Sequence, residues 1–115
     1  MAVPDHEIRA CDAAMVRAFD VLGKRWNGMI VSVLASDPAA FSELRRALGS
    51  ISDSVLSDRL AELSAAGLVE RSVEAGPPVS VSYRLTTAGR GLVPALDMLA
   101  TWARDSLGPR IASDA

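Results

Sequence analysis

Few residues in this chain carry their own reactivity, and one of them is a thiol. The 115 residues include one cysteine, Cys11, and one histidine, His6. A single cysteine excludes an intrachain disulfide and any metal site of several thiolates, and it favours a reducing compartment. Cys11 and His6 are too close in sequence and too near a terminus to form a convincing nucleophile and base. With no clustered metal ligands and no phosphate-cradling glycines, we predict neither an enzyme nor a metal or cofactor site.

Cys11 allows two interpretations, which both remain open at this stage. It lies at the start of the first predicted helix, where the helix dipole stabilises a thiolate; Arg9 adds to this effect and Asp12 opposes it. A reactive thiol here has no second cysteine to pair with in the chain. A disulfide would therefore join Cys11 residues of two copies, or Cys11 and a small thiol. The alternative is a buried and inert small residue.

A second group of side chains is suited to contacts with a nucleic acid. Hydroxyl and guanidinium groups can bind phosphates or base edges. Residues of this kind cluster where we predict the start of a helix, and the candidates there are Ser52, Asp53, Ser54, Ser57 and Arg59. The alternative is that the serines cap and solvate the helix and that Arg59 pairs with Asp58 or Glu62. The carboxylates of Asp53 and Asp58 repel phosphates. On DNA they would therefore either accept a hydrogen bond from the amino group of cytosine or disfavour binding to the wrong sequences.

Other cations could contact the phosphate backbone. The chain has 12 Lys+Arg against 14 Asp+Glu, a formal net charge of -2, so a nucleic acid must be met by a local basic patch. We expect phosphate contacts from Arg45, Arg46 and Arg84, because no neighbour on the same exposed face clearly pairs with all of them. Lys24 and Arg71 are further candidates.

Apolar spacing predicts the elements that position these side chains in a single domain. Helices are predicted over about 12–22, from after Gly23 to Asp37, over Phe41–Leu48, and from Ser52 to Gly67. Trp26 shares the apolar face of the second helix, which predicts packing in the core. The third and fourth helices, joined by a short turn, form a helix-turn-helix over about 41–66.

Downstream of the fourth helix the apolar period changes to two. Alternating residues on both sides of Gly76-Pro77-Pro78 predict a hairpin, or wing, over about 68–86, with Tyr83 packed toward the domain. A last helix follows over about 88–107, and we expect it to kink at Pro94 or to start just before it. The predicted fold class is mainly α with a small β-hairpin, a winged helix-turn-helix.

The first and last helices carry wide apolar faces, which predict a homodimer interface. No run of residues reaches the length of a membrane span. We therefore expect a cytoplasmic protein without a membrane partner.

Five segments in register resemble the HxlR-type family of winged helix-turn-helix bacterial transcription regulators. They span most of the chain and comprise Gly23-Lys24-Arg25-Trp26-Asn27-Gly28, Phe41-Ser42-Glu43-Leu44-Arg45-Arg46, Ile51-Ser52 with Leu56, Arg59-Leu60 and Leu63, Gly67-Leu68-Val69-Glu70-Arg71, and Val81-Ser82-Tyr83-Arg84-Leu85-Thr86 with Gly89.

This resemblance implies a homodimer held by the first and last helices. The fourth helix of each subunit would enter a major groove of a double-stranded operator with an inverted repeat, and each wing would lie beside the backbone. We expect a repressor. In one subgroup of the family a cysteine just before the first helix senses quinones, electrophiles or disulfide stress, and Cys11 lies near that place. The alternative function is a winged-helix ligand- or protein-interaction module without specific DNA binding, which the acidic balance and the two aspartates of the fourth helix keep open.

Overall fold

Five helices and one hairpin, joined by short connections, make up residues 10–109, the part of the chain that the computed structural model describes. In order they are α1 (Ala13–Leu22), α2 (Asn27–Leu34), α3 (Phe41–Leu48), α4 (Asp53–Ala65), β1 (Val69–Glu74), β2 (Ser80–Leu85) and α5 (Thr87–Ser106). Within this range no helix has the length and apolar character that crossing a bilayer requires.

The helix-turn-helix is confirmed, and local hydrogen bonds define its ends. The Glu43 carboxylate accepts from the backbone N–H of Ala40 at 2.7 Å and so caps the start of α3. α3 ends at Gly49, whose φ of 82° suits glycine because the left-handed region is strained for other residues. α4 then begins after Ser52, whose Oγ accepts from the N–H of Val55 at 3.2 Å.

The core lies between the three central helices and the base of the hairpin. Leu56, Leu60 and Leu63 of α4 are all buried, and they face Ile30 of α2 and Leu44 of α3, which have no exposed surface. Burial of such a stripe contributes roughly 1.5–3 kcal/mol per side chain. It therefore fixes which face of α4 is turned outward. Trp26 is partly buried against this core, as its spacing predicted.

The wing is an antiparallel hairpin in the register Val69↔Leu85 to Glu74↔Ser80. Val69 and Leu85 are buried at its base, whereas Val73 and Val79 near the tip are 53% and 63% exposed. The alternating pattern thus predicted the strands correctly, but it did not predict how far the hairpin extends beyond the core.

A backbone bridge ties the wing to the linker between α2 and α3. The N–H of Ala39 donates to the carbonyl of Tyr83 at 3.0 Å, and the N–H of Tyr83 donates to the carbonyl of Ala39 at 2.8 Å. Tyr83 is partly buried against the core, in agreement with its predicted packing. A one-residue bridge has no sequence period, so the sequence did not predict it.

The last helix begins within one residue of the predicted start at about 88. α5 starts at Thr87 and runs unbroken through Pro94, so the expectation of a start just before Pro94 is wrong. Thr86 explains the difference, because its Oγ1 donates to the Gly67 carbonyl at 2.6 Å and accepts from the N–H of Gly89 at 3.1 Å. Pro94 removes one helical hydrogen bond to the carbonyl of Arg90, and both residues are exposed, so water can replace it.

Helix α5 crosses the start of the wing at a buried glycine. A Cβ on Gly89 would lie 2.1 Å from the carbonyl oxygen of Leu68, which is a backbone atom and cannot rotate away. By contrast, a Cβ on Gly91 in the same helix meets nothing within 4 Å. The close approach at Gly89 sets the distance between α5 and the helix-turn-helix.

We predict opposite effects of alanine at these two glycines. Gly89→Ala should lower the free energy of unfolding by about 2 kcal/mol or more, because the backbone must shift to admit the methyl group. Gly91→Ala should raise it by up to about 1 kcal/mol through helix propensity. Urea unfolding at one fixed protein concentration measures both. Equal effects of the two substitutions would contradict the role of the Gly89 contact.

Candidate nucleic-acid interface

The first turns of α4 present polar side chains outward. Ser52, Asp53, Ser54 and Ser57 are exposed, while the leucines on the opposite side of the helix are buried. The Ser52 Oγ caps the helix and also lies 3.4 Å from the Ser54 Oγ. Ser52 therefore has the capping role proposed as the alternative, and its exposure still leaves the hydroxyl beside any duplex that contacts this face.

Arg59 is turned toward its own helix. Its side chain is 20% exposed, and its Nη2 donates to Glu62 Oε2 at 3.0 Å. The Nε atom is buried without a partner among the described residues. The geometry agrees with the predicted pairing to Glu62, so a base contact by Arg59 would first require that pair to open.

Glu62 also joins α4 to the turn between α1 and α2. Its Oε2 accepts from Lys24 Nζ at 2.9 Å. The Lys24 hydrogen bond lowers the pKa of the Glu62 carboxyl; desolvation opposes this shift, while the charges of Arg59 and Lys24 add to it. Asn27 is buried beside this link, and its Nδ2 donates to the carbonyl of Val21 at 2.8 Å. Lys24 thus helps to position the helix, and its side chain is about half exposed beside Glu62.

Two of the arginines expected at phosphates have carboxylate partners. Arg45 lies 3.3 Å from Asp53, and Arg84 lies 2.8 Å from Glu70 on the neighbouring strand. Each of these two arginines thus has its own carboxylate neighbour, while no single neighbour pairs with all three of the arginines expected at phosphates. All four side chains are about half exposed or more, and such pairs are weak, so a phosphate can replace the carboxylate. The Arg45 pair also offsets the negative charge of Asp53 at the start of α4.

Arg46 and Arg71 remain without an ion pair within residues 10–109. Both are exposed, Arg46 on α3 and Arg71 on β1. They supply cations on the helix-turn-helix and on the wing without competition from a carboxylate. They are the strongest phosphate candidates on the described surface.

Cys11 is exposed, so the fold of the single chain does not bury the thiol. It precedes Asp12, whose carboxylate caps α1 by accepting from the N–H of Ala14 at 2.7 Å. Arg9 and His6 lie outside the described residues. In residues 10–109 no group of three or more His, Cys, Asp or Glu side chains is arranged to hold a metal.

Sequence reasoning missed two features beside this surface. The Lys24–Glu62 contact joins residues 38 positions apart, and no local spacing reveals such a pair. The Arg25 guanidinium carbon lies 4.7 Å from the centroid of the Trp26 ring. That contact joins adjacent residues, so an arginine before a half-buried tryptophan was a usable signal.

The lowered pKa of Glu62 gives a stability difference that depends on pH. Because the folded-state pKa is depressed, the carboxylate stabilises the fold above its unfolded pKa, and this contribution is lost as pH falls through the folded pKa. Glu62→Gln should therefore be less stable than the wild type at neutral pH, with the difference shrinking in acid. Asp58→Asn removes a negative charge that makes no ion pair among the described residues, and it serves as the control. Urea unfolding of all three proteins from neutral to acid pH tests this, and a difference that grows in acid would contradict it.

A family model described as an HxlR-like helix-turn-helix matches residues 21–110 of the chain. Among curated relatives, the uncharacterized HTH-type transcriptional regulator YvaP of Bacillus subtilis is 41% identical over 93 residues, which cover 81% of this chain and 86% of that protein. The HTH-type transcriptional regulator YodB of the same organism is 42% identical over 89 residues, covering 77% and 80% of the two chains.

Solved structures agree with the sequence relatives. The reduced form of YodB from B. subtilis superposes with a TM-score of 0.77 at 37% identity, covering 89% of this chain and 100% of that chain. Diamide-treated YodB superposes with a TM-score of 0.70 at 39% identity, and the match covers 88% of this chain and 99% of that chain. Quinone-bound YodB gives a TM-score of 0.71 at 37% identity, and the match covers 83% of this chain and 99% of that chain. The redox regulator HypR in its oxidized form superposes with a TM-score of 0.79 at 31% identity, and the match covers 84% of this chain and 100% of that chain. Together with the observed winged helix-turn-helix, these matches show that the chain belongs to the HxlR-like helix-turn-helix family of transcriptional regulators.

Proposed function

We propose that this regulator is a cytoplasmic homodimeric repressor that binds an inverted-repeat operator and releases it when Cys11 is modified. The observation that carries the DNA-binding part is the row of exposed polar residues in the first turns of α4, in a motif that also carries two exposed arginines without ion pairs among the described residues, Arg46 on α3 and Arg71 on the wing. An α-helix fits the major groove, and cations on either side of it can contact the phosphates.

The exposed faces of α1 and α5 support the dimer. Met15 and Phe19 of α1 are 51% and 56% exposed, and Met98 and Trp102 of α5 are 74% and 54% exposed. Contiguous apolar surface of this kind marks an interaction site. A two-fold dimer through these helices would place the two copies of α4 roughly 34 Å apart, one turn of DNA, which favours an inverted repeat as the operator.

The exposure and position of Cys11 support the thiol switch. It stands two residues before the start of α1, one of the helices proposed to form the dimer. YodB, a relative over most of this chain, has been solved diamide-treated and quinone-bound, which supports diamide-type oxidants and quinones as inducers here. A changed dimer geometry would prevent both copies of α4 from filling their half-sites together.

The chemistry at Cys11 balances for either inducer. Two Cys11 thiols, or Cys11 and a small thiol, give up two electrons and two protons to diamide, which forms a disulfide and the corresponding hydrazine. With a quinone, the Cys11 thiolate adds to a ring carbon, and uptake of a proton leaves a hydroquinone thioether. Both reactions add a link or a bulky group beside α1.

We predict that Arg46→Ala and Arg71→Ala each weaken DNA binding about uniformly across sequences. Each loss of a phosphate contact should also reduce the slope of log Kobs against log salt by about one. Gel shifts on the intergenic DNA upstream of the gene, over a range of salt concentrations, measure both. Arg104→Ala is the control, since Arg104 lies near the far end of α5 and donates to Thr101 at 3.3 Å.

Two results would contradict this part of the proposal. If neither arginine variant changes affinity or slope, phosphate contact by these side chains is wrong. If the wild type binds no DNA at any salt, and a selection from random sequences also fails, the alternative of a protein-interaction module replaces the repressor.

The thiol switch predicts a clear difference between the wild type and Cys11→Ser. Wild-type binding should be lost after diamide and restored by reductant, whereas Cys11→Ser should bind equally under all three conditions. Mass spectrometry without reductant identifies the modified sulfur. A wild type that reacts at Cys11 but keeps its affinity would refute the switch and leave DNA binding intact.

A further inference from the structure

The outward side of α4 lacks the side chains that proteins most often use to read purines. In the major groove, Arg or Lys commonly binds guanine and Asn or Gln commonly binds adenine. Helix α4 contains no Lys, Asn or Gln. Its one arginine, Arg59, is 20% exposed and donates to Glu62 at 3.0 Å. Readout of bases by α4 therefore depends on its hydroxyl and carboxylate groups.

Helical spacing identifies the side chains at the centre of this outward side. At 100° per residue, Ser54, Asp58 and Ala61 all lie within about 50° of the direction opposite the three buried leucines. All three are exposed. Asp58 lies closest to that direction, at about 15° from it. The central charge on the side of α4 proposed to meet DNA is thus negative.

The two aspartates of α4 have different surroundings. Asp53 lies 3.3 Å from Arg45 of α3, which offsets its charge. The same spacing places Asp53 only about 50° from the buried leucines, on the edge of the outward side. Asp58 makes no ion pair with any residue in 10–109. Its carboxylate is therefore the one that would meet a base edge without a cation beside it.

The chemistry of a carboxylate restricts which base can lie against it. An ionised carboxylate only accepts hydrogen bonds. In the major groove cytosine presents an amino donor and no acceptor, whereas adenine presents an acceptor beside its amino group, thymine an acceptor and a methyl group, and guanine two acceptors. An acceptor against the carboxylate would leave it desolvated without a donor, which is costly. Cytosine is therefore the base that suits Asp58.

We propose that Asp58 is a specificity-determining residue that selects cytosine at one position of each operator half-site. The proposal rests on the DNA binding proposed above and deepens it. The Asp58 carboxylate accepts from the cytosine N4 amino group and disfavours the other three bases. The attraction to phosphates comes from arginines outside α4, so in this helix an acidic residue contributes selectivity at the expense of affinity.

Base-by-base replacement in a bound operator tests this readout. The operator is obtained with the wild type, by selection from random duplexes, and each position is then changed to the other base pairs symmetrically in both half-sites. Gel-shift competition at one salt concentration gives the relative affinities. We expect one position per half-site at which cytosine is preferred about tenfold or more. Asp58→Ala should lose this preference, keep those at the other positions and bind random DNA more tightly, because a repulsive charge is removed.

A second substitution separates base readout from a purely structural role. Asp58→Asn introduces an amide that can both donate and accept, so the preference at the same position should change from cytosine to adenine. Asp97→Asn removes the same charge at an exposed position of α5 and should leave every base preference unchanged. Circular dichroism checks that each variant folds.

Three results would overturn the inference. DNA binding without a cytosine preference, or with one that survives in Asp58→Ala, refutes the role of Asp58 and leaves the operator-binding function intact. A preference that Asp97→Asn also removes would show that net charge and not a base contact is responsible. A wild type that binds no DNA refutes the proposed function and this inference with it.

Discussion

The candidate nucleic-acid interface depends on the burial of one row of leucines on α4. Leu56, Leu60 and Leu63 occupy one side of α4 and pack into the core, where Leu56 and Leu63 have no exposed surface. Because that side is fixed by the hydrophobic effect, the remaining sides of the helix have no freedom to turn inward. The outward serines, the pairing of Arg59 along the helix and the reach of Glu62 to Lys24 all follow from that one constraint.

The sequence predicted the features that depend on the local spacing of apolar residues and on capping residues. The helix-turn-helix came from apolar spacing and from Gly49 and Ser52, residues whose conformational and capping preferences act within one turn. The wing came from strict alternation. The start of α5 was predicted to within one residue. The alternative of a start just before Pro94 was wrong because it left out the cap at Thr86 and the exposure of the proline, where water can satisfy the freed carbonyl.

The candidate site was harder to predict because its ion pairs join residues that only the tertiary fold brings together. Arg45 and Asp53 are on different helices of the motif, and Lys24 and Glu62 are 38 positions apart, so their pairing depends on the packed fold. The Glu70–Arg84 pair follows from the hairpin register, and a symmetric placement of the two strands around the turn would have revealed it. For an acidic chain these pairs matter, since they neutralise carboxylates next to the surface proposed to face DNA.

The bridge between Ala39 and Tyr83 has a mechanical consequence. Two backbone hydrogen bonds join the wing to the linker that enters α3, so the hairpin is anchored to the helix-turn-helix at this point. The outer end of β2 at Ser80 lies roughly 10 Å from that joint, given the rise of the three residue steps from Tyr83. A rotation of the subunit therefore displaces the tip further than the base, in proportion to the distance from the axis. A tilt of about ten degrees moves that end of the strand by roughly 2 Å over that length, which is enough to lengthen a hydrogen bond beyond its usual range. In the proposed dimer, a small change in subunit orientation would therefore displace the wing further than the helix-turn-helix.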